Sequence, residues 1–214
     1  MKSRHAAFVL LASLATGTAL AADPVVGDAT AGAAKAGTCA ACHGLNGNSI
    51  APTFPNLAGQ HHAYIAEQLA LIKAGTRVAP AMQPQALPLS PQDMADLGAY
   101  FEKQTPAGLE ADPSLWQAGE KLYRGGDAKR SIPACIGCHG PNGRGNGPAR
   151  WPQIRAQQGL YVTAQLKAYA GRSRYLATTG QPAPPATGEI MSDVAGRLTD
   201  ADIAALAAYV QGLR

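Results

Sequence analysis

Cys39-Ala40-Ala41-Cys42-His43 and Cys135-Ile136-Gly137-Cys138-His139 are two copies of one five-residue pattern, Cys-x-x-Cys-His. A single helical turn between the cysteines presents both sulfurs to one edge of a planar macrocycle, and the next residue aims its imidazole at the centre. The pattern is that of c-type haem attachment, with Cys39, Cys42, Cys135 and Cys138 as thioether positions and His43 and His139 as iron ligands. A bare Cys-x-x-Cys also serves thioredoxin-type redox chemistry, and two such pairs can build a four-cysteine zinc site. Neither alternative requires a histidine directly after each pair, and the two copies use all four cysteines of the chain. Two covalently attached haem c groups are therefore the expected cofactors.

Toward the N-terminus, Lys2 and Arg4 precede an apolar run from Ala6 to Leu14 and an Ala19-Leu20-Ala21 cleavage signature, so residues 1–21 read as a secretory leader. The apolar run is short and is followed by Thr16 and Gly17, which disfavours a membrane span; an uncleaved leader would give peripheral membrane association instead. Haem c is attached outside the cytoplasmic membrane in bacteria, so leader and haem motifs agree on the periplasm as the expected location.

An internal repeat divides the chain beyond the leader. Cys39 matches Cys135 at a spacing of 96; Phe54-Pro55, Tyr64, Gln68-Leu69 and Arg77 match Trp151-Pro152, Tyr161, Gln165-Leu166 and Arg174 at 97. Met82, Leu89, Asp93, Leu97 and Tyr100 match Met191, Leu198, Asp202, Leu206 and Tyr209 at 109. About a dozen extra residues thus precede Met191 in the second half. The expected division is a domain at 22–104, a linker at 105–112 that contains Pro and Gly and lacks a helical pattern, and a second domain at 113–214. Each half is small for a self-sufficient core, and a haem would supply the missing apolar mass.

Both halves read as all-α. An Ala-rich helix from Asp28 to Gly37 corresponds to one from Asp112 to Tyr123, where Asp112 caps and Pro113 takes the first position. Middle helices are expected at 63–74 and 160–170, each followed by glycine. Final helices start at Ser90-Pro91-Gln92-Asp93 and Thr199-Asp200-Ala201-Asp202, each a hydroxyl cap with a carboxylate three residues on, and run to about Glu102 and Gln211.

The opposite face of each iron separates carriers from catalysts. A methionine thioether there closes the iron to substrate and raises its potential. Beyond the leader the chain holds Met82, Met94 and Met191. Met191 has no competitor in its half, and Met82 is its repeat partner, placed in a loop. Met94 falls within the amphipathic run Met94, Leu97, Phe101 and reads as a core side chain. Met82 and Met191 are the expected axial ligands. His61 and His62 lack counterparts in the second half and read as helix-start residues. The remaining ring N–H of His43 and of His139 needs an acceptor, for which the carbonyls of Pro55 and Pro152 or their neighbours are candidates.

With the haem motifs, Phe54-Pro55-Asn56-Leu57-Ala58-Gly59-Gln60, Tyr64, Gln68-Leu69, Met82-Gln83-Pro84, Leu89-Ser90, Asp93, Ala99-Tyr100 and their second-half partners, the chain resembles the cytochrome c4 family of dihaem periplasmic electron carriers. The resemblance implies two class-I cytochrome c lobes related by a pseudo-twofold axis, with haem propionates facing one another between them. It departs where Arg155-Ala156 replaces Ala58-Gly59 and where Gln181-Pro182-Ala183-Pro184-Pro185 precedes Met191. The implied activity is electron relay by a monomer, from a quinol-oxidising cytochrome complex or dehydrogenase to a terminal oxidase or reductase. The alternatives are a dihaem subunit of a flavocytochrome or alcohol dehydrogenase complex, and a thiosulfate-dehydrogenase-like or peroxidase enzyme. Residues 22–108 carry four basic and six acidic side chains, and residues 109–214 carry twelve and eight, a polarity suited to orienting the lobes toward different partners. The basic residues are scattered and aromatics are few, so nothing in the sequence indicates nucleic acid and no nucleic-acid partner is expected.

Overall fold

In a computed structural model, residues 25–177 and 179–214 are described; the leader lies outside them. Helix α1 (Ala29–Lys35) starts where the Asp28 carboxylate accepts the Thr30 N–H at 2.7 Å. It continues through a 3-10 turn (Ala36–Cys39) into α2 (Ala40–His43), so the first haem motif is itself helical. The same lobe adds α3 (His62–Ala74), the single turn α4 (Gln83–Ala86) and α5 (Pro91–Glu102). The second lobe repeats the order with α6 (Trp116–Gly125), α7 (Ile136–His139), α8 (Gly159–Ala170), α9 (Ala186–Ala195) and α10 (Asp200–Gly212). Among the described residues there is no strand, only isolated bridges, and no helix is long and apolar enough to cross a membrane.

The capping boxes form as the sequence predicts: Ser90 and Asp93, and Thr199 and Asp202, exchange side-chain and backbone bonds at the starts of α5 and α10. The start of α6 differs. The Asp112 carboxylate turns to the Ser114 N–H and hydroxyl at 2.8 and 2.6 Å, a local turn that delays the helix to Trp116. A second difference is α9, a ten-residue helix that places Met191 on a helix, where Met82 sits at the cap of a single turn.

In each lobe the first helix crosses the last through a glycine. A Cβ on Gly32 would lie 2.0 Å from the Asp96 carbonyl oxygen, and one on Gly119 would lie 2.0 Å from that of Ala205. The repeat therefore preserves a backbone-to-backbone crossing that only glycine permits. Around it pack Ala36, Ile65, Leu97 and Phe101 in the first lobe, and Leu122, Tyr123, Ile132, Leu206, Tyr209, Val210 and Leu213 in the second.

The lobes meet through paired polar contacts that obey the repeat. Gln157 accepts the Asn56 N–H at 2.7 Å and donates to the Asn56 carbonyl at 3.0 Å. Its repeat image is Gln60, which accepts the Gln153 N–H at 2.9 Å and donates to the Gln153 carbonyl at 2.9 Å. Likewise Arg77 donates to the Tyr161 hydroxyl and Arg174 to the Tyr64 hydroxyl, both at 3.1 Å. Contact i with j mirrored by j with i is the signature of a twofold, here between halves of one chain. A short antiparallel bridge between Arg77 and Tyr175, with Val78 N–H to Arg174 O at 2.9 Å and Leu176 N–H to Thr76 O at 2.8 Å, closes the same face. The Pro-rich stretch joins it: the fully buried Thr76 hydroxyl donates to the Pro182 carbonyl at 2.8 Å. Residues 105–112 carry no regular structure, and Asn48 of the first lobe and Gln211 of the second pin them.

Candidate haem centres

His43 closes the one-turn helix α2 and is 4 % exposed; His139 does the same in α7 and is 8 % exposed. Gly44 (φ 76°) and Gly140 (φ 75°) follow them and turn the chain away at once. His43 Nδ1 lies 2.8 Å from the Pro55 carbonyl oxygen, and His139 Nδ1 lies 3.0 Å from that of Pro152. A carbonyl can only accept, so Nδ1 carries the proton in both rings and Nε2 keeps its lone pair. The Nε2 of His43 is buried with no hydrogen-bond partner, the state of a nitrogen whose acceptor is a metal rather than a proton donor. Burial lowers the pKa of both histidines, which holds the imidazoles neutral and ligand-competent. The proline carbonyls named from sequence are thus the acceptors.

The loop that carries Pro55 is locked by side chains. Asn56 Oδ1 accepts the Ser49 N–H at 2.7 Å, and the Ser49 hydroxyl donates to the Cys42 carbonyl at 2.8 Å, so the haem motif and the carbonyl that orients its histidine are tied together. In the second lobe Ala156 takes the left-handed conformation (φ 52°) that Gly59 takes in the first (φ 70°). Their N–H groups bond the ends of the last helices, Ala156 to Leu213 O and Gly59 to Phe101 O, and the Ala156 carbonyl accepts Asn56 Nδ2 at 2.5 Å. These bonds hold an alanine where a Cβ is disfavoured by about 1–2 kcal/mol.

The four cysteines form no disulfide, Cys39 and Cys135 being half-buried and Cys42 and Cys138 exposed. Burial pushes the Cys39 thiol up and that of Cys135 to about 11. A thioredoxin-type nucleophile needs the reverse, a depressed pKa. Among the described residues no group of three or more His, Cys, Asp or Glu side chains gathers as a metal site, so the four-cysteine zinc arrangement does not assemble. The donor set that does assemble in each lobe is two thiols one helical turn apart beside an oriented, neutral imidazole, which fits a thioether-linked haem.

Met82 and Met191 are both half-buried, whereas Met94 is 4 % exposed within α5 and serves the core. His61 caps α3 and His62 begins it. Nε2 of His61 bonds the Arg144 carbonyl across the lobes at 2.8 Å, and Nδ1 of His62 bonds the Glu102 carboxylate at 2.8 Å, so both are engaged outside the haem motifs. What sequence reasoning missed is the buried polar layer between the lobes: Asn56, Gln60, Gln68, Gln153, Gln157, Gln158 and Arg174 are all under 9 % exposed. A signal was available, since Asn56/Gln153, Gln60/Gln157 and Arg77/Arg174 are repeat-equivalent polar residues.

The family model for cytochrome c matches residues 29–105 and again 117–214. Cytochrome c4 of Azotobacter vinelandii is 45 % identical over 87 % of this chain and 90 % of its own. The crystal structure of reduced recombinant cytochrome c4 from Pseudomonas stutzeri superposes with a TM-score of 0.80 at 43 % identity, covering 88 % of this chain and all of that one. A more distant relative, named thiosulfate dehydrogenase electron acceptor in Thiomonas intermedia, is 37 % identical over 82 % of this chain and 78 % of its own.

Proposed function

The chain belongs to the cytochrome c family and is a dihaem electron-transfer cytochrome with two covalently bound haem c groups, and from this premise we propose a closed-iron relay of defined ligation. Cys39 and Cys42 hold the first haem, with His43 and Met82 on its iron; Cys135 and Cys138 hold the second, with His139 and Met191. The lobes are residues 22–104 and 113–214, joined by 105–112, and the 1–21 leader sends the monomer to the periplasm. When bound, haem c supplies a one-electron ferric–ferrous couple. The protein's part would be to retain its ligands: the Pro55 and Pro152 carbonyls hold the imidazoles in orientation, and the Met82 and Met191 thioethers would bar exogenous ligands. The observation that carries this reading is the pair of Nδ1–carbonyl bonds, which leaves Nε2 as the free donor in both lobes.

Electrons enter one lobe, cross the interface and leave from the other. The donor is a quinol-oxidising cytochrome complex or a periplasmic dehydrogenase, and the acceptor a terminal oxidase or reductase. Unequal lobe charge suits docking of unlike partners. A second reading, service as the dedicated acceptor of one dehydrogenase complex, draws on the name of the Thiomonas intermedia relative. A spectroelectrochemical titration of the holoprotein tests the relay. Two reversible one-electron steps with superimposable oxidative and reductive branches support retained ligands; hysteresis between the branches means ligand exchange and refutes them.

A further inference from the structure

Where the linker leaves the first lobe, a groove of about 340 Å³ opens between the lobes. His61 and Glu102 of the first lobe, Thr105 of the linker, and Arg144 and Arg155 of the second lobe line it. The three segments meet closely here: a Cβ on Gly59 would lie 2.9 Å from Pro106 Cγ and 3.1 Å from Gln153 Nε2. His61 Nε2 donates to the Arg144 carbonyl at 2.8 Å, which ties the loop bearing Arg144 to the first lobe. The half-buried Arg155 donates from Nε to Gln153 Oε1 at 3.2 Å, and its terminal nitrogens bond no acceptor among the described residues. Neither Arg144 nor Arg155 pairs with a carboxylate among those residues, whereas Arg124, Arg130, Arg150, Arg172 and Arg214 each do. The one carboxylate lining the groove is committed elsewhere: Glu102 accepts the His62 N–H at 3.1 Å on Oε1 and His62 Nδ1 at 2.8 Å on Oε2. Burial, and then the neighbouring Arg144 charge, lower the Arg155 pKa; the two cations share one opening and repel.

The pseudo-twofold supplies a comparison within the same chain. At the spacings of the repeat, His61, Glu102, Arg144 and Arg155 correspond to Gln158, Gln211, Asn48 and Ala58. Each of these titratable or charged side chains therefore has a neutral image, although the local backbone bonding is the same. The bond from the His62 N–H to Glu102 Oε1 recurs as one from the Gly159 N–H to Gln211 Oε1 at 2.8 Å. The fold does not need the charges, since the other side of the twofold is built without them. Two guanidinium groups offer N–H donors in planar forks that match the oxygens of an oxyanion, and a double negative charge relieves their repulsion. We propose that Arg144 and Arg155 form a binding site for a small, doubly charged oxyanion of the phosphate or sulfate type in the groove between the lobes.

The test is isothermal titration calorimetry of the holoprotein with inorganic phosphate and with sulfate, at constant ionic strength set by sodium chloride. Three variants each take the residue of their repeat image: Arg144→Asn, Arg155→Ala and Glu102→Gln. The wild type is expected to bind one anion per chain with a Kd on the order of 1 mM. Arg144→Asn and Arg155→Ala each weaken binding about tenfold or more, the scale of one lost hydrogen bond to a charged group. Glu102→Gln removes the opposing charge and tightens binding. Arg172→Gln removes an arginine from an exposed cluster with Glu189 and Asp193 and leaves the affinity unchanged. Absence of saturable binding by the wild type overturns the proposal, as does wild-type affinity in both groove arginine variants or an equal loss in Arg172→Gln. Should one groove arginine variant fail to accumulate, the other decides together with Glu102→Gln: a loss in the first and a gain in the second support the site, and no change in either overturns it.

Discussion

Alanine at Gly119 is predicted to loosen the second lobe, and the structure fixes both sign and size. A Cβ there would sit 2.0 Å from the Ala205 carbonyl oxygen, 2.6 Å from its carbon and 2.7 Å from the Tyr209 Cβ, while real Cβ contacts stay beyond 3.0 Å. Relief requires α6 and α10 to part by about 1 Å, because two of the three obstacles are backbone and no rotamer change moves them. Overpacking of this kind costs about 1–3 kcal/mol, and a rigid backbone obstacle belongs at the upper end. Replacing Gly by Ala in a helix returns about 1 kcal/mol. The net is about 2 kcal/mol, which for a lobe of this size lowers the melting temperature by roughly 8–16 °C. Gly125, at the end of the same helix, meets nothing within 4 Å, so Gly125→Ala should leave the melting temperature unchanged or raise it. Melting of both holoproteins by far-ultraviolet circular dichroism reads the difference. A Gly119→Ala protein as stable as the wild type would show that the crossing does not depend on contact between backbones.

Gln157→Ala strands the buried Asn56 N–H and carbonyl, at about 1–3 kcal/mol for each group, and should speed amide hydrogen exchange at Asn56 without changing the haem count; unchanged exchange there refutes the interface pairing. The Asp96 carboxylate accepts from the Asp28 N–H, Lys35 and Gln92, which hold its pKa down at about 2. An unfolded aspartate titrates at about 3.9, so its stabilisation is complete above that pH and is lost as pH falls from about 4 toward 2. An acid titration of helicity should show this loss in the wild type, and Asp96→Asn should weaken the first lobe at neutral pH and flatten that limb. Met82→Ala and Met191→Ala should each open one haem to carbon monoxide, whereas Met94→Ala, at a buried core position, should cost about 2–5 kcal/mol and open neither.

The sequence made the doublet legible because duplication left the same chemistry at fixed spacings, and because hydroxyl caps and glycine stops are local signals that hold whatever packs against them. The His43–Pro55 and His139–Pro152 bonds were within reach for the same reason: a histidine ligand needs an acceptor, and a proline follows each motif at a near-equal distance. The start of α6 was missed because Asp112 has two competing uses, helix cap and Asx turn, and Ser114 decides for the second. Helix α9 was hidden by the proline run that leads into it, which signals a break but also supplies Pro185 as the cap. The interface was the hardest to read. Asn and Gln in a sequence look solvent-facing, and only pairing across the twofold shows them buried and satisfied.

The central claim is that both irons are closed, and a carbon monoxide difference spectrum of the dithionite-reduced wild-type holoprotein at neutral pH, with haem counted per chain, tests it most directly. The account predicts two haems per chain and no carbon monoxide complex at either. Ready binding at one haem would contradict the Met82 or Met191 assignment in that lobe and turn attention to a substrate at an open iron.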